Sequence, residues 1–556
     1  MDRSFFASLI LHVSCDVIDK GKGERMRRAS IAVLALFLIL SAEPLAAQAH
    51  AMPHGTGDRL GSVHFATSCA SPTAPEFDHA IAELHSFEFG AAIRGFTRVL
   101  DADSTCAMAR WGIALSLWGN PMSIGNRTVQ SLETGRRAAD AATRSASHAS
   151  ARERGYIAAV ANLYADFEHT AQRTRVVAYE RAMASVVAAQ PADTEAKIFH
   201  AIALVAAAPP TDKTYANQLE AGALLEQLWA AQPDHPGLAH YLIHTYDVPA
   251  LAGRARVAAE RYAEIAPSAA HALHMPSHTF TRAGMWQESV NTNRRSIAAA
   301  RAESGFGEAL HASDYSEYAY LQMRNDSAAR SIIATLPALT RNFDPNAITG
   351  AANGVAGYFA LAAIPARYAL ERRNWADAEA LVPLTTAYPF TDAMTYFAIA
   401  LGASHNGHLA KSRAAVDSLA AIRDRLRAAG DAYWAEQVAI QHLGASAWLA
   451  LAEQHDSAAV ALMQEAAAHE DATEKSAVTP GPLAPAHELL GDMLLQLSRP
   501  AEALVQYRAT QAKEPNRFRT LYGAMKAAAA SGDASVSRQF AAQLERLTGT
   551  SAYSRH

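Results

Sequence analysis

The feature that most constrains the fold of this chain is its punctuation. Apolar residues recur every three or four positions through most of the sequence, the spacing of one face of an α-helix. The runs close at short signals such as Gln190-Pro191-Ala192-Asp193, Gln232-Pro233-Asp234, Ala266-Pro267-Ser268 and Lys513-Glu514-Pro515-Asn516, and a new run follows each at once. Sustained alternating runs are absent and alanine and leucine, both strong helix formers, dominate. The expectation is an all-α solenoid of helix hairpins, right-handed superhelix or closed bowl, in which each hairpin buries its apolar face against the next.

At 556 residues, 50% hydrophobic and 19% charged, the chain is too apolar for wholesale disorder. It has room for three to five domains or one long array. A net charge of −5 lacks the basic surplus of a nucleic-acid binder, so no nucleic-acid partner is expected. Three cysteines are too few for a disulfide-built scaffold.

Residues 26–49 read as an export signal. Arg27 and Arg28 precede the apolar run Ile31–Leu40, and Ala47-Gln48-Ala49 is a small-residue cleavage site. The run is too short to span a bilayer, and no later stretch is long and apolar enough for a stable membrane span. Met26 fits the start of such a signal, which residues 1–25 do not extend. The mature protein is expected in the periplasm or secreted. Cleavage after Ala49 leaves His50 as an amino-terminal chelating residue; cleavage after Ala51 does not. Loss of the signal also removes Cys15 and leaves Cys69 and Cys106, either as a disulfide in an oxidising compartment or as two buried thiols. The expected organisation is a signal at 1–49, a linker at 50–74, a first array with a histidine-rich groove at 75–345, a second array at 346–545 and a tail at 546–556.

Three segments carry a 34-residue template. HALHMPSHTFTRAGMWQESVNTNRRSIAAA has Gly284 at the turn between helices, Trp286 after it and small Ser289 where two helices approach. PLAPAHELLGDMLLQLSRPAEALVQYRATQAKEP places Ala503, Tyr507 and Pro515 likewise, and HSFEFGAAIRGFTRVLDADSTCAMARWGIALSLWG is the third. Across most of residues 75–545 the chain resembles the tetratricopeptide repeat (TPR) family, without that repeat's early Trp and Gly in most units. More narrowly, HPGLAHYLIHTYD, HALHMPSH and TPGPLAPAHELLGDMLL resemble a group of exported bacterial TPR proteins. The resemblance implies fold and export and supplies no reaction.

The most informative residues are histidines. His235, His240, His244, His271, His274 and His278 lie within 44 positions, over three times the average density of a chain with 23 histidines. His240 and His244 are four apart, and His271, His274 and His278 are three and seven apart, so each set shares one helix face. His240 to His274, and His244 to His278, are both 34 positions, one repeat unit. With Gly284 at position 15 of its unit, His271, His274 and His278 take positions 2, 5 and 9. One unit earlier these positions hold Gly237, His240 and His244; one unit later, His311, Asp314 and Tyr318. In TPR proteins, the resemblance implies, these positions face the concave groove.

Neighbouring helix axes lie about 8–10 Å apart, and imidazoles from both sides close most of that gap. A histidine-rich set without cysteine suits zinc, iron, copper or nickel better than calcium or magnesium. The expected ligands are His240, His244, His271, His274, His278 and His311. More than four imply two ions, or outer histidines that orient the inner ones. Asp314 is expected to complete the site and Tyr318 to stand at its open position as a proton or radical partner. On this reading the chain is an exported metal-dependent enzyme, oxidoreductase or hydrolase, acting on a small molecule or peptide held in the groove. Two alternatives stand beside it: a non-catalytic envelope scaffold whose groove docks a peptide, and a metal-buffering protein.

Other groups carry less. Glu488 and Asp492 lie one turn apart and form either an acid/base pair or a solvated helix face. Glu371, Arg372 and Arg373 end a helix and complement its dipole. Trp111, Trp118 and Trp229 read as core. No phosphate loop, HExxH or GxSxG motif is present; His240 and His244 have the first histidine pair's spacing, but Tyr241 stands where HExxH needs Glu.

Overall fold

The structure, a computed structural model, describes residues 57–551 except Asn353, together with Tyr553; the signal segment and His50 lie outside the described residues. From Gly57 the chain forms one compact unit, and the described residues contain no strand. Among them, twenty-five α-helices, two of these the halves of one helix split at Met275, make twelve antiparallel hairpins from Ala74–His85 to Ala534–Thr548. This is a TPR-like solenoid. The helices Pro236–Thr245 and Ala270–His274 begin 34 positions apart, as the histidine offset requires. Gly284 makes the turn before Trp286–Ala302 with φ +64°. A side chain there is excluded twice: by that backbone and by the carbonyl oxygen of Pro515, 2.5 Å from where a Cβ would lie. No helix among the described residues is long and apolar enough to cross a membrane.

Two large apolar cores run through the array, one built from residues between Leu60 and Ala351, the other from residues between Phe359 and Leu544. Between them lies the helix Phe306–Gln322, buried on nearly every side despite carrying Glu308, His311, Asp314 and Glu317. It packs on both Trp286–Ala302 and Gly354–Glu371. Polar groups in such a helix must be paired or neutralised, and that requirement shapes the site.

The later hairpins fold back on the earlier ones. Trp286 Nε1–H donates to the carbonyl oxygen of Asn516 (2.9 Å), Lys213 Nζ–H to that of Thr473 (2.7 Å), and Trp434 Nε1–H to that of Ile124 (3.4 Å). The array therefore closes on itself, with a cavity between its two halves.

The stretch Leu60–Ala70, expected as linker, is held fast. Phe65 is buried against Phe77, Trp111 and Tyr156, and Ser62 N–H reaches the carbonyl oxygen of Asp234. Cys69 is disulfide-bonded to Cys106, 37 positions on, at the start of the helix Ala107–Trp118. Closing a loop of that length restricts the unfolded chain. Cys69→Ser with Cys106→Ser is expected to lower the unfolding free energy by about 2–4 kcal/mol, measured by chemical denaturation with and without reductant. Coincident curves for both proteins in both conditions would remove the bond from the stability of the fold.

Candidate metal centre

Two helices and a split third bring the histidines together. Pro236 opens the helix Pro236–Thr245 at its first position, where the missing N–H costs nothing, and every residue of this helix is buried. In the next hairpin, Pro276 divides Ala270–His274 from Pro276–Arg282. The break is bridged by a tightened turn, with His278 N–H donating to the carbonyl oxygen of Met275 at 3.1 Å, and His274 and His278 stay on one face. His311 comes from Phe306–Gln322.

All six predicted histidines converge, and all are buried. They form two triads, His240/His244/His271 and His274/His278/His311, in each of which one ligand atom per ring lies within 4.8 Å of the others. The triads abut: ring centroids are 5.8 Å apart for His244 and His278, and 5.9 Å for His271 and His274.

The hydrogen bonds around the rings assign their tautomers. His240 Nδ1–H donates to the carbonyl oxygen of His85 (2.6 Å) and His271 Nδ1–H to Glu308 (3.0 Å). His274 Nδ1–H donates to Asn293 Oδ1 (2.7 Å), whose amide is fixed because its Nδ2–H donates to the carbonyl oxygen of Ser289. His278 Nδ1–H donates to Asp247 (3.0 Å), with the Tyr315 hydroxyl at 3.3 Å. The outward Nδ1 of each of these four rings thus carries a proton, which leaves the inward Nε2 of a neutral ring with a lone pair. The Nε2 atoms of His240, His244 and His271 and the Nδ1 of His311 have no hydrogen-bond partner among the described residues. His274 Nε2 and His278 Nε2 face each other at 3.1 Å, two bare lone pairs in contact.

Protonation is a poor remedy for that contact. Burial, reinforced by neighbouring imidazoles, holds His240, His244 and His274 well below the usual histidine range, and burial brings His311 to about 3 although Glu308 opposes it. Burial also lowers His278, although Asp247 opposes it. Burial pushes the Asp247 carboxyl up, but Lys475 and Arg282, then His278, overcome this and keep it charged. Burial likewise works against Glu308, and His271 overcomes it. Neutral imidazoles with lone pairs inward and carboxylates behind them are the arrangement in which proteins present histidine to a metal.

Asp314 and Tyr318, expected at the site, are elsewhere. Asp314 is fully buried and ion-paired with Arg367 (3.1 Å), and Tyr318 OH accepts from Arg517 (2.7 Å). Asp314 is three residues from His311, which turns it about 60° away, toward Gly354–Glu371; Tyr318 is seven residues on, about 10 Å further along the axis. The tyrosine at the cluster is Tyr315, whose ring centroid lies 4.9 Å from those of His274 and His278. Burial, then Asp247, keep its hydroxyl protonated, and it donates toward the carbonyl oxygens of Ala477 and Thr479.

A third cluster, His85/Glu195/His235, is a buttress. His85 uses both ring nitrogens, toward Tyr241 OH and Glu195, and Glu195 also takes His235 Nε2. Its product is a fixed His85 carbonyl for His240. Glu488, the other carboxylate singled out, is buried beneath Arg517 and accepts Thr520 Oγ1–H, while Asp492 pairs with Arg519 and Arg373. Glu371 pairs with Arg517 (2.7 Å) where a helix-end charge was expected. Sequence reasoning missed His85, Asp247, Asn293, Glu308 and Tyr315. Asp247 and Glu308 each lie three residues from a ligand histidine, a spacing that flags two of them.

A cavity of about 330 Å³ opens onto the cluster, lined by His244, His271, His278 and His311. Its walls come from residues 119–128, 345–352 and 354–356, Tyr388, Phe390, Trp434 and residues 476–478.

No family profile and no curated relative matches the sequence. Among solved structures, the chain is similar to human IFIT1, in its dimer with m7Gppp-AAAA, at 9% identity and a TM-score of 0.36, over 86% of this chain and 95% of that one. It is similar to yeast Tom70 at 11% identity and a TM-score of 0.34, over 86% and 92%. Likeness of this order says nothing about what the chain does.

Proposed function

We propose that the chain is an exported helix-hairpin solenoid whose enclosed histidines bind transition-metal ions (zinc, iron or copper), making it a metal-dependent enzyme, oxidoreductase or hydrolase, for a small molecule. The observation that carries this reading is the paired His274 and His278 Nε2 atoms, 3.1 Å apart with both outward nitrogens already donating. A cation within the second triad relieves that contact, and the unpartnered nitrogens of His240, His244 and His271 offer a like place in the first. The cavity supplies access, and its size suits a small molecule. The Cys69–Cys106 bond and the signal-like segment at residues 26–49 support a place outside the cytoplasm.

The test is elemental analysis of protein purified without a histidine tag, followed by reconstitution with Zn²⁺, Fe²⁺ and copper salts. At least one tightly held metal per chain is expected. His244→Ala with His278→Ala, which removes one ligand from each triad, is expected to cut retention by about 10-fold or more while helical circular dichroism persists. An intact fold that takes up none of these metals would reject the site. That outcome favours the second reading, a protein- or peptide-binding scaffold, which rests on the solenoid itself and the surfaces its stacked hairpins present. Metal that is bound and exchanged without turnover would make the protein a buffer.

A further inference from the structure

The two triads share more than a boundary. Two ligands of the first, His244 and His271, and two of the second, His278 and His311, line the same cavity. A molecule entering it therefore meets both sets of imidazoles. Each triad offers three imidazole rings with no carboxylate or thiolate among them. Paired iron and manganese sites are built on carboxylates that contact the ions; here Asp247 and Glu308 stand behind the rings and bond only their outer nitrogens. Copper tops the divalent affinity series for nitrogen sites, and imidazole suits it. Two-ion sites hold their metals about 3.5–4 Å apart, which abutting triads permit.

The cavity wall indicates what enters. Phe89, Ile348, Tyr388, Phe390, Trp434 and Val478 give it apolar and aromatic walls, beside polar side chains that include Asn120, Gln130 and Asp431, the last accepting from Trp434 N–H with burial working against its charge. The arginine in the lining, Arg127, is already committed: the guanidinium lies 3.8 Å over the Trp118 ring and donates to the carbonyl oxygens of Trp118 and Asn120. Among the described residues no other lysine or arginine lines the cavity to hold a phosphate or carboxylate, and a flat uncharged ring fits its walls.

Resting on the metal-binding reading, we propose that the six histidines form a binuclear copper centre, one ion in each triad, which binds dioxygen between the ions and oxidises a small uncharged diphenol admitted by the cavity. Each diphenol loses its two O–H hydrogens, as two protons and two electrons, and leaves as a quinone. One electron passes to each copper, cycling the pair between Cu(II) and Cu(I). Two diphenols supply the four electrons and four protons that break the O–O bond and reduce dioxygen to two waters.

The experiment uses the full chain, stripped with chelator, loaded anaerobically with Cu(I) and then exposed to air, with catechol as the probe. Expected are two coppers per chain, an oxidised form silent in electron paramagnetic resonance because the two spins couple, and one dioxygen consumed for every two quinones. His311→Gln and, separately, His240→Gln should each leave one copper per chain with a visible Cu(II) signal and no catechol oxidation; thermal melts establish that each variant folds. Phe390→Leu, away from the ligands, should keep two coupled coppers and raise KM for catechol. One copper per chain in the parent protein, or two uncoupled ones, would overturn the pair and leave the transition-metal reading standing. Failure to bind any metal would remove both. A coupled pair that leaves catechol untouched would overturn the substrate assignment.

Discussion

Held in chelator, the protein is expected to unfold cooperatively within one or two pH units below about 6.5, the ordinary histidine pKa. His240, His244, His274, His278 and His311 are all shifted down in the folded state, burial being the largest cause at each. Above about pH 6.5 these rings are neutral folded or unfolded, and they give stability no pH dependence. Below it the unfolded chain takes up protons that the folded chain refuses, so stability falls as pH falls. The loss continues until the folded rings themselves titrate, which for His311 is at about pH 3. Each such group contributes up to about 1.4 kcal/mol per pH unit. Five acting together approach about 7 kcal/mol per unit, against a typical total stability of about 5–15 kcal/mol. Asp247 and Glu308, also held low, add to the loss only at more acidic pH. The measurement is tryptophan fluorescence and circular dichroism from about pH 8 to about pH 3, with and without saturating metal. Metal binds the neutral rings of the folded state alone and should move the transition to lower pH. A chelated protein that stays folded to about pH 4, or whose transition takes up one proton, would mean that these rings are not the buried neutral groups their surroundings make them.

How much of this the sequence discloses depends on how local each determinant is. Helical periodicity and Pro-marked turns act over a few residues, so the hairpins are readable directly. The 34-residue offset from His240 to His274 and from His244 to His278 reports a repeat, and repeats stack; four of the six rings follow from that alone, His271 from the helix face it shares with His274 and His278, and His311 from the next unit. The readable part ends where contacts cross between units. That the His85 carbonyl receives His240 depends on the first hairpin packing beside the fifth, 155 residues apart in sequence. Register on Phe306–Gln322, carried over from a neighbour that Pro276 splits, selects His311, Asp314 and Tyr318, of which the folded helix presents only His311 to the cluster, with Tyr315 beside it. Leu60–Ala70 shows no helical period, yet Phe65 and Cys69 anchor it; low periodicity signals the lack of a helix and is silent on burial.

The misplaced aspartate leads to the second large expectation. Asp314→Asn should cost about 3–5 kcal/mol of stability while the folded fraction keeps its full metal complement. Asp314 and Arg367 are each wholly buried. Arg367 Nε–H donates to Asp314, and its terminal nitrogens reach Asp314, Thr479 Oγ1 and the carbonyl oxygens of Gly481 and Pro482. With the carboxylate gone, the guanidinium retains dipoles but no counter-charge in a fully buried setting, which is the expensive way to break a buried pair. The nearby Glu317 offers little rescue, because burial and the charge of Asp314 have pushed its carboxyl far up and both its oxygens are unpartnered among the described residues. Replacing both members, Asp314→Leu with Arg367→Met, removes the unpaired charge along with the pair. The double variant should therefore be more stable than Asp314→Asn, a coupling read from a double-mutant cycle in urea. The pair also ties the Thr479–Pro482 segment to the central helix, and Ala477 and Thr479, at and beside that segment, receive the Tyr315 hydroxyl. Loss of metal from folded Asp314→Asn, at unchanged stability, would return Asp314 to the metal site and contradict its role as the buried counter-charge of Arg367.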